Sequence, residues 1–388
     1  MKSVQKSSPL LLLIVGAKGA VGSTVAVAAS ALQKDTEKVL PNLTTADMFA
    51  EVLPANQIFV AGWDSSDKSL IDSVLDHEVL NEKIWTGYKN DLEQIHIQEV
   101  PKSHLTPKAQ VEKLQDDIRN FKKRYIGAKP VLINLLPACG DVDLSHCNNL
   151  SDLYDELKSV TFPDMMYTIA AVTSGVPVVN FSSNSLEVPV IVNEAIKHNV
   201  PISGKDGKTG QTYFKMVLAS ALKARNLLVN GWYSLNILGN QDGENLSDPH
   251  KASEKLRNKV DLLNEILGYK VEDKNGNTTH KVHIDYYPPR GDSKEAYDVI
   301  DVSGIFGLQM SIRLNLLGRD SILAAPLVID LARWMAILQM TGRSGIVPEL
   351  GFYYKKSVSN HPSVTFQEEF AQLQKLYVEC NSKLGERL

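Results

Sequence analysis

The chain contains few cysteines, and none is placed for a disulfide framework or a structural zinc site. Its 388 residues include only Cys139, Cys147 and Cys380, with no CxxC pair and no histidine at metal-ligand spacing. An odd count without such pairs is typical of proteins from a reducing compartment. We therefore predict a cytoplasmic protein.

Long hydrophobic runs are also lacking. Lys2 and Lys6 precede a leucine run, as in a signal peptide, but the run Leu10–Val15 has only six residues and ends at Gly16. The uncharged stretch 165–186 is interrupted by SGVP and followed by polar residues. A membrane span needs about 20 apolar residues. We therefore predict no membrane segment and interpret the leucine run as a buried strand.

The charge has no strong excess of either sign. The net charge is −4, and 22% of the residues are charged. This balance gives no global reason to expect nucleic acid or an anionic membrane as a partner. The length predicts two domains, and the sequence shows neither internal repeats nor low-complexity segments.

Apolar runs alternate with helical patterns in the N-terminal half. Strands are predicted at 10–15, 57–64, 129–137 and 176–182, which indicates a doubly wound α/β domain with a parallel sheet. After about residue 205, HKVHIDYYP and GLQMSIRLNLLG contain strictly alternating stretches, which predict an antiparallel sheet buried on one side. The apolar stretch 321–340 predicts a helix that returns to the first domain.

The segment GAKGAVG lies between the first predicted strand and a helix. Its glycines would let backbone N–H groups approach a pyrophosphate at the helix N-terminus. An acid at the end of the second strand, Asp64, would bind ribose hydroxyls and repel a 2′-phosphate, so NAD is favoured over NADP. The predicted cofactor loop is Gly16, Ala17, Lys18, Gly19, Ala20, Val21 and Gly22.

A second glycine-containing stretch, KDGKTGQT at 205–212, has the composition of an anion site. It lacks the GxxxxGK[ST] order of a P-loop. Backbone N–H groups, two threonine hydroxyls and a helix N-terminus near Gln211 would form a phosphate cradle. The alternative is a solvated surface turn. The predicted phosphate residues are Thr209, Gly210, Gln211 and Thr212.

Three further polar stretches favour the cradle. The loop NILGNQDGENLSDP is rich in hydrogen-bonding groups, and Asp292 and Lys294 follow a predicted strand. Lys255 and Lys259 lie at i, i+4 on one helix flank, where like charges repel unless an anion joins them. Any one of these lysines, considered singly, would be interpreted as part of a solvated surface. Their occurrence together with the polar loop argues for an anionic substrate.

Four segments closely resemble, in order and spacing, segments of the myo-inositol-1-phosphate synthase (inositol-3-phosphate synthase) family, in its compact prokaryotic form. They are GKTGQT, LNILGNQDGENLS, PPRGDSK and GRDSILAAPLVIDL. The resemblance covers most of the chain and is strongest at 200–345. It implies an NAD-binding Rossmann-like domain at 1–205 and 321–388, an inserted α+β catalytic and tetramerisation domain at 206–320, and a homotetramer.

The resemblance also implies residue roles. Of the adjacent lysines Lys355 and Lys356, the resemblance assigns the catalytic role to Lys355, and this choice rests on the register of the match alone. The cofactor-side segments KGAVG, LLPACG and NFSSNS differ from the family's usual loops. The implied catalytic residues are Lys255, Lys259, Lys294, Lys355, Asp292 and Asp320. The implied NAD contacts, beyond the glycine loop and Asp64, are Leu136, Pro137, Ser182, Asp206, Asn240, Asp320 and Ser321.

The implied reaction converts glucose 6-phosphate to inositol phosphate without net redox change. Lysine ammonium groups would stabilise the oxyanions that develop. Asp320 and the substrate phosphate could share a divalent cation, although no ligand cluster is visible in the sequence. Two alternatives stay open: an NAD-dependent sugar-phosphate dehydrogenase with net redox, and a non-catalytic NAD-binding paralogue.

Overall fold

The computed structural model describes residues 7–140, 142–239, 243–244, 262–358 and 365–387. The chain divides into two compact units. The first comprises Met1–Gly207, Ala324–Pro362 and Gln372–Leu388, and the second comprises Lys208–Leu323 and Ser363–Ala371. The chain passes between the units after Gly207 and after Leu323, and the short segment Ser363–Ala371 also belongs to the second unit. The predicted domain bounds stay a prediction. The functional assignment of the two domains stays a prediction.

The first unit contains a parallel sheet of seven strands. The strands are β1 (Leu10–Val15), β2 (Ile58–Asp64), β3 (His96–Glu99), β4 (Lys129–Asn134), β5 (Val178–Asn180), β6 (Pro201–Gly204) and β11 (Gly345–Ile346). Their order in the sheet is β11-β6-β5-β4-β1-β2-β3. This order extends the 3-2-1-4-5-6 arrangement of dinucleotide-binding folds by one strand and confirms the predicted doubly wound class.

The leucine run forms β1, an interior strand between β4 and β2 that is buried on both faces. Leu10, Leu12 and Ile14 pack in one hydrophobic core, whereas Leu11, Leu13 and Val15 pack in the core on the opposite face. A strand covered on both sides has no polar face, so the continuous apolar run is explained.

The described helices are α1 (Ala20–Lys34), α2 (Leu70–His77), α3 (Glu82–Trp85), α4 (Lys89–Glu93), α5 (Pro107–Arg124), α6 (Leu150–Glu156), α7 (Pro163–Thr173), α8 (Pro189–Lys197), α9 (Gly210–Ala224), α10 (Asp320–Met340) and α11 (Phe366–Arg387).

The second unit contains a sheet of four strands in the order β10-β9-β7-β8. Its core includes Met216 and Ala219 of α9, Trp232 of β7 and Ile300 of β9. Ile312 packs against the same core, as the alternation of the β10 sequence predicts. The strands are β7 (Leu228–Leu238), β8 (His280–Tyr286), β9 (Ser293–Ser303) and β10 (Gln309–Arg319).

Two local predictions were wrong. The strand predicted at 129–137 ends at Asn134, because the chain turns into a loop at Leu135 and Pro137 has no N–H for the ladder. The second sheet is mixed rather than antiparallel, because β8 pairs in parallel with β7. Parallel neighbours need a long crossover connection, and the 41 residues between Leu238 and His280 supply it.

The apolar helix α10 is the only described helix long and apolar enough to span a membrane. Of the most apolar 18-residue stretch of α10, 78% is buried within the protein. Val328, Leu331 and Met335 of this helix belong to the core of the first unit. Burial therefore explains its composition.

Candidate active site

The glycine loop follows β1 directly and turns into the N-terminus of α1. Gly16 has a φ of +84°, a conformation that favours glycine. Gly19 precedes the helix without a capping side chain, and the first turn of α1 contains no acidic residue. The helix N-terminus is therefore chemically suited to an anion such as a pyrophosphate.

Gly22 allows α1 to start close beneath the loop. A Cβ at this position would lie 2.5 Å from the Gly16 carbonyl oxygen and 2.7 Å from that of Ala17. Both neighbours are backbone atoms, which cannot move without changing the loop. The spacing GxxGxxG thus has a packing cause at its third glycine.

Asp64 lies at the end of β2, as predicted, and its carboxylate organises the adjacent loop. Oδ2 accepts the Lys18 backbone N–H at 2.7 Å, and Oδ1 accepts the Ser66 N–H at 2.9 Å. The Lys18 side chain donates to the Ser66 carbonyl oxygen at 2.6 Å. The Asp64 carboxylate therefore links the second strand to the glycine loop. A ribose bound by this carboxylate would lie between these two segments.

Asn184 ties the loops that follow β4 and β5 together. Its Nδ2 donates to the Pro137 carbonyl oxygen at 3.0 Å, and its Oδ1 accepts the Cys139 N–H at 3.0 Å. The same amide donates to Asp164 Oδ1 at 2.8 Å, which Asn134 Nδ2 approaches to 2.7 Å. Burial raises the pKa of Asp164, and the two amide donors oppose that rise. Sequence reasoning missed this network.

The predicted contacts Leu136, Pro137 and Ser182 lie in these same two loops. The signal that could have revealed the network is an asparagine ending each of two apolar strands, VLIN and VVN. A polar residue at the end of a buried parallel strand must find a hydrogen-bond partner in the following loop. Asn134 and Asn180 are both fully buried.

Asp206 and Lys355 form an ion pair in the first unit. Lys355 Nζ lies 2.8 Å from Asp206 Oδ1, and the two side chains are 28% and 23% exposed. Backbone bonds hold both residues, because the Asp206 N–H donates to Ser182 O and the Lys355 N–H donates to Asp206 O. The structure thus brings Lys355, predicted as catalytic, next to a residue predicted to contact NAD.

KDGKTGQT begins in the first unit, enters the second at Lys208 and leads into α9, a helix of 15 residues that begins at Gly210. Thr209 precedes the helix and makes no side-chain cap bond, and the first turn contains no acid. Gln211 and Thr212 are buried. A phosphate at this terminus would meet N–H groups and the positive end of the helix dipole.

Buried polar contacts fix α9 to the sheet. Gln211 Nε2 donates to Asp298 Oδ2 at 3.0 Å, and Trp232 Nε1 donates to Asp298 Oδ1 at 2.8 Å. One turn later, Lys215 Nζ lies 2.8 Å from His280 Nε2. Burial lowers the pKa of Lys215 to about 8. The side chain of Gln211 therefore anchors the helix, and Asp298 is a supporting residue that the sequence did not reveal.

Lys294 and Asp320 pair next to the start of α9. Lys294 Nζ lies 3.0 Å from Asp320 Oδ2, and the lysine side chain is 17% exposed. Asp320 Oδ1 lies 2.9 Å from the position that a Cβ of Gly210 would occupy. Ser321 Oγ lies 3.4 Å from Asp292 Oδ1. The structure thus gathers four of the predicted residues, Lys294, Asp320, Asp292 and Ser321, and places Asp320 against the phosphate loop.

Three predicted residues, Lys255, Lys259 and Asn240, lie outside the described residues. Among the residues that are described, no group of three or more potential ligands could hold a metal ion. Among the predicted residues that the structure describes, two carboxylate–lysine pairs form, Asp206–Lys355 and Asp320–Lys294. Asp206 lies within KDGKTGQT, and Asp320 lies beside its Gly210.

Known proteins resemble the chain over nearly its whole length. It is 33% identical over 410 residues to inositol-3-phosphate synthase 1 of Bacteroides thetaiotaomicron, covering 97% of this chain and 96% of that protein. The chain belongs to the inositol-3-phosphate synthase family. A probable inositol 3-phosphate synthase isozyme 3 of Arabidopsis thaliana is 30% identical over 315 residues, which cover 73% of this chain and 61% of that protein.

The family sequence model described as Myo-inositol-1-phosphate synthase matches residues 210–321, which include Gly210, Lys294 and Asp320. Among solved structures, an inositol-3-phosphate synthase from Caenorhabditis elegans has a TM-score of 0.81 at 21% identity and covers 97% of this chain and 86% of that one. A myo-inositol-1-phosphate synthase-related protein from Thermotoga maritima has a TM-score of 0.76 at 21% identity, covering 95% and 98%. Both share the fold of this family member.

Substituting Gly22 with valine in this inositol-3-phosphate synthase family member is expected to weaken NAD binding by at least about tenfold, because the new side chain would push the loop backbone away. Titration calorimetry with NAD measures the effect. Gly87→Val is the matched control, since a Cβ at Gly87 meets nothing within 4 Å. Unchanged NAD affinity in Gly22→Val would contradict the assignment of this loop.

Proposed function

We propose that the chain is an inositol-3-phosphate synthase that converts D-glucose 6-phosphate to 1D-myo-inositol 3-phosphate, an intramolecular lyase reaction of the isomerase class. The observation that carries the proposal is the Lys294–Asp320 pair, whose carboxylate lies against Gly210 at the N-terminus of α9. A phosphate bound at that terminus would put the rest of a sugar chain within reach of the Lys294 ammonium group.

NAD is the cofactor in this proposal. The uncapped N-terminus of α1, the close approach at Gly22 and the carboxylate of Asp64 fit its pyrophosphate and ribose. Bound NAD would accept a hydride from C5 of the open-chain sugar and return it within the same turnover. The Asn184 network would fix the two loops, 135–140 and 181–185, that we infer to border the nicotinamide.

Lysines would carry the acid–base and electrostatic steps. Negative charge develops on the C5 oxygen when C6 loses a proton, and on the C1 oxygen when the ring closes. Lys294, oriented by Asp320, would donate hydrogen bonds to such an oxyanion from a position largely shielded from water. Lys355, oriented by Asp206, would act beside the cofactor. We infer similar roles for Lys255 and Lys259, which the described residues do not include.

We further infer a cytoplasmic homotetramer, as the family resemblance implies. The turn between β9 and β10 supports association, because it presents large apolar side chains to solvent. Phe306 is 90% exposed, and Ile305, Leu308 and Met310 are also exposed. Apolar groups clustered at one site on a surface are typical of protein–protein contacts.

Isotope retention tests the proposal. Glucose 6-phosphate carrying deuterium at C5 is expected to give inositol phosphate that keeps the label, without accumulation of NADH, because the same hydride returns to the same carbon. Mass spectrometry of the product and absorbance at the NADH band measure the two quantities. NADH formed in proportion to product, or a keto sugar as the end product, would instead indicate a dehydrogenase. Absence of any product would indicate a non-catalytic paralogue.

A further inference from the structure

Lys208, the fourth residue of KDGKTGQT and the one directly before Thr209, has its side chain in the protein interior. Its side chain is 1% exposed, and its Nζ lies 2.5 Å from Glu369 Oε2. The Nζ also lies 3.1 Å from the sulfur of Met216, a core residue of α9. The side chain of Glu369 is itself only 5% exposed. A lysine in a sequence such as KTGQT would ordinarily be assigned to the phosphate, but this ammonium group binds a carboxylate.

Glu369 lies in the first turn of α11, a segment that is distant in sequence but belongs to the same compact unit. Two more contacts fasten this turn to α9. The Phe366 N–H donates to Ser220 Oγ at 3.1 Å, and the Phe366 ring meets the Tyr213 ring edge-on at a centroid distance of 6.0 Å. The turn therefore contacts α9 at Tyr213 and Ser220 and the loop before it at Lys208.

We propose that Lys208 and Glu369 are a positioning pair, in which Glu369 holds the entry to α9 in the conformation that binds phosphate. This inference rests on the proposed phosphate site at the N-terminus of α9. Thr209 and Gly210 follow Lys208 immediately, so a displacement of Lys208 moves the backbone N–H groups that would bind the anion. Lys208 acts on the phosphate through the loop and does not touch it.

The two charges depend on each other. Burial lowers the pKa of Lys208 and raises the pKa of Glu369, and the ion pair opposes both shifts. Removing one partner leaves the other charge buried without compensation, which is more damaging than replacing both partners with apolar side chains of similar volume. A positioning pair and a phosphate ligand therefore predict different outcomes for the double variant.

The test is a double-mutant cycle of Lys208→Met, Glu369→Met and both together, with binding of inorganic phosphate and of glucose 6-phosphate measured by calorimetry. Each single variant is expected to bind both ligands at least about tenfold more weakly, and the double variant is expected to recover to within about threefold of the unchanged protein. NAD affinity should stay constant in all variants. Glu379→Met, an exposed glutamate on the same helix, is the control.

If Lys208 were itself a phosphate ligand, the double variant would bind as weakly as Lys208→Met, and Glu369→Met would bind at least as tightly as the unchanged protein. Either result would overturn the proposal. If the single variants fail to fold, the double variant alone decides between these outcomes. A protein that binds phosphate and shows the expected cycle but does not convert glucose 6-phosphate would refute the synthase proposal alone. A protein that binds neither phosphate compound would refute both.

Discussion

Replacing Lys294 with methionine is expected to lower turnover of glucose 6-phosphate by about a hundredfold or more, with a smaller change in KM. Methionine keeps most of the length of the side chain but removes the ammonium group that Asp320 orients at 3.0 Å. Stabilisation of an oxyanion matters mainly in the transition state, so its loss acts on kcat. Steady-state kinetics over a range of substrate concentrations measures both constants.

The fold should survive this substitution. Lys294 lies on β9, which is paired on both sides by β7 and β10, and its partner Asp320 is 38% exposed. An ion pair that is open to water on one side contributes about 1 kcal/mol or less to the free energy of unfolding. Thermal unfolding should therefore change little. Lys281→Met, an exposed lysine on β8, two strands away in the same sheet, is the control. A Lys294→Met protein that retains a tenth of the original turnover would remove this lysine from the proposed mechanism.

The sequence alone predicted those parts of the fold that depend on local patterns. The continuous apolar run at Leu10–Val15 predicted a strand buried on both faces, and the glycines that follow it predicted the turn into α1. That this loop binds a dinucleotide stays a prediction. Both signals lie within about twenty consecutive residues. These two signals depend only on the backbone geometry and burial of one strand–loop–helix unit. They can therefore be interpreted without knowledge of contacts between distant segments.

Contacts between distant segments could not be predicted in the same way. Lys208 and Glu369 are 161 residues apart, and no local pattern distinguishes a lysine that binds phosphate from one that pairs with a buried carboxylate. The parallel pairing of β7 and β8 also depends on the path of the intervening chain rather than on the alternation of either strand. Both features are decided by tertiary packing.

Family resemblance nominated Lys294 and Asp320 individually, but their relation to each other emerged only from the structure. The two residues are 26 positions apart, on β9 and at the first position of α10. Their contact places the carboxylate beside Gly210, which the sequence had connected with the phosphate alone. The loop proposed to bind phosphate and the lysine proposed to be catalytic therefore both lie against one side chain, that of Asp320.

Gly210→Ala tests this coupling, and we expect it to lower kcat/KM for glucose 6-phosphate by about a hundredfold. Gly210 has a φ of +51°, which costs an alanine about 1 kcal/mol. The added Cβ would also lie 2.9 Å from Asp320 Oδ1, so the carboxylate must shift, and we expect this shift to disturb the contact that orients Lys294. The loss should therefore appear in kcat as well as in phosphate binding, whereas Thr209→Val should affect mainly binding.

Gly276→Ala separates backbone strain from displacement of Asp320. Gly276 has a φ of +81°, and a Cβ there meets nothing within 4 Å, so this variant carries similar strain without a displaced neighbour. Its kcat/KM should stay within about threefold of the unchanged protein, since about 1 kcal/mol of strain in an exposed turn affects stability and not the transition state. If Gly210→Ala lost only as much stability as Gly276→Ala and kept its kcat, Asp320 would have room to adjust. Lys294 would then be oriented by another group, and the proposed connection between phosphate binding and catalysis would be wrong.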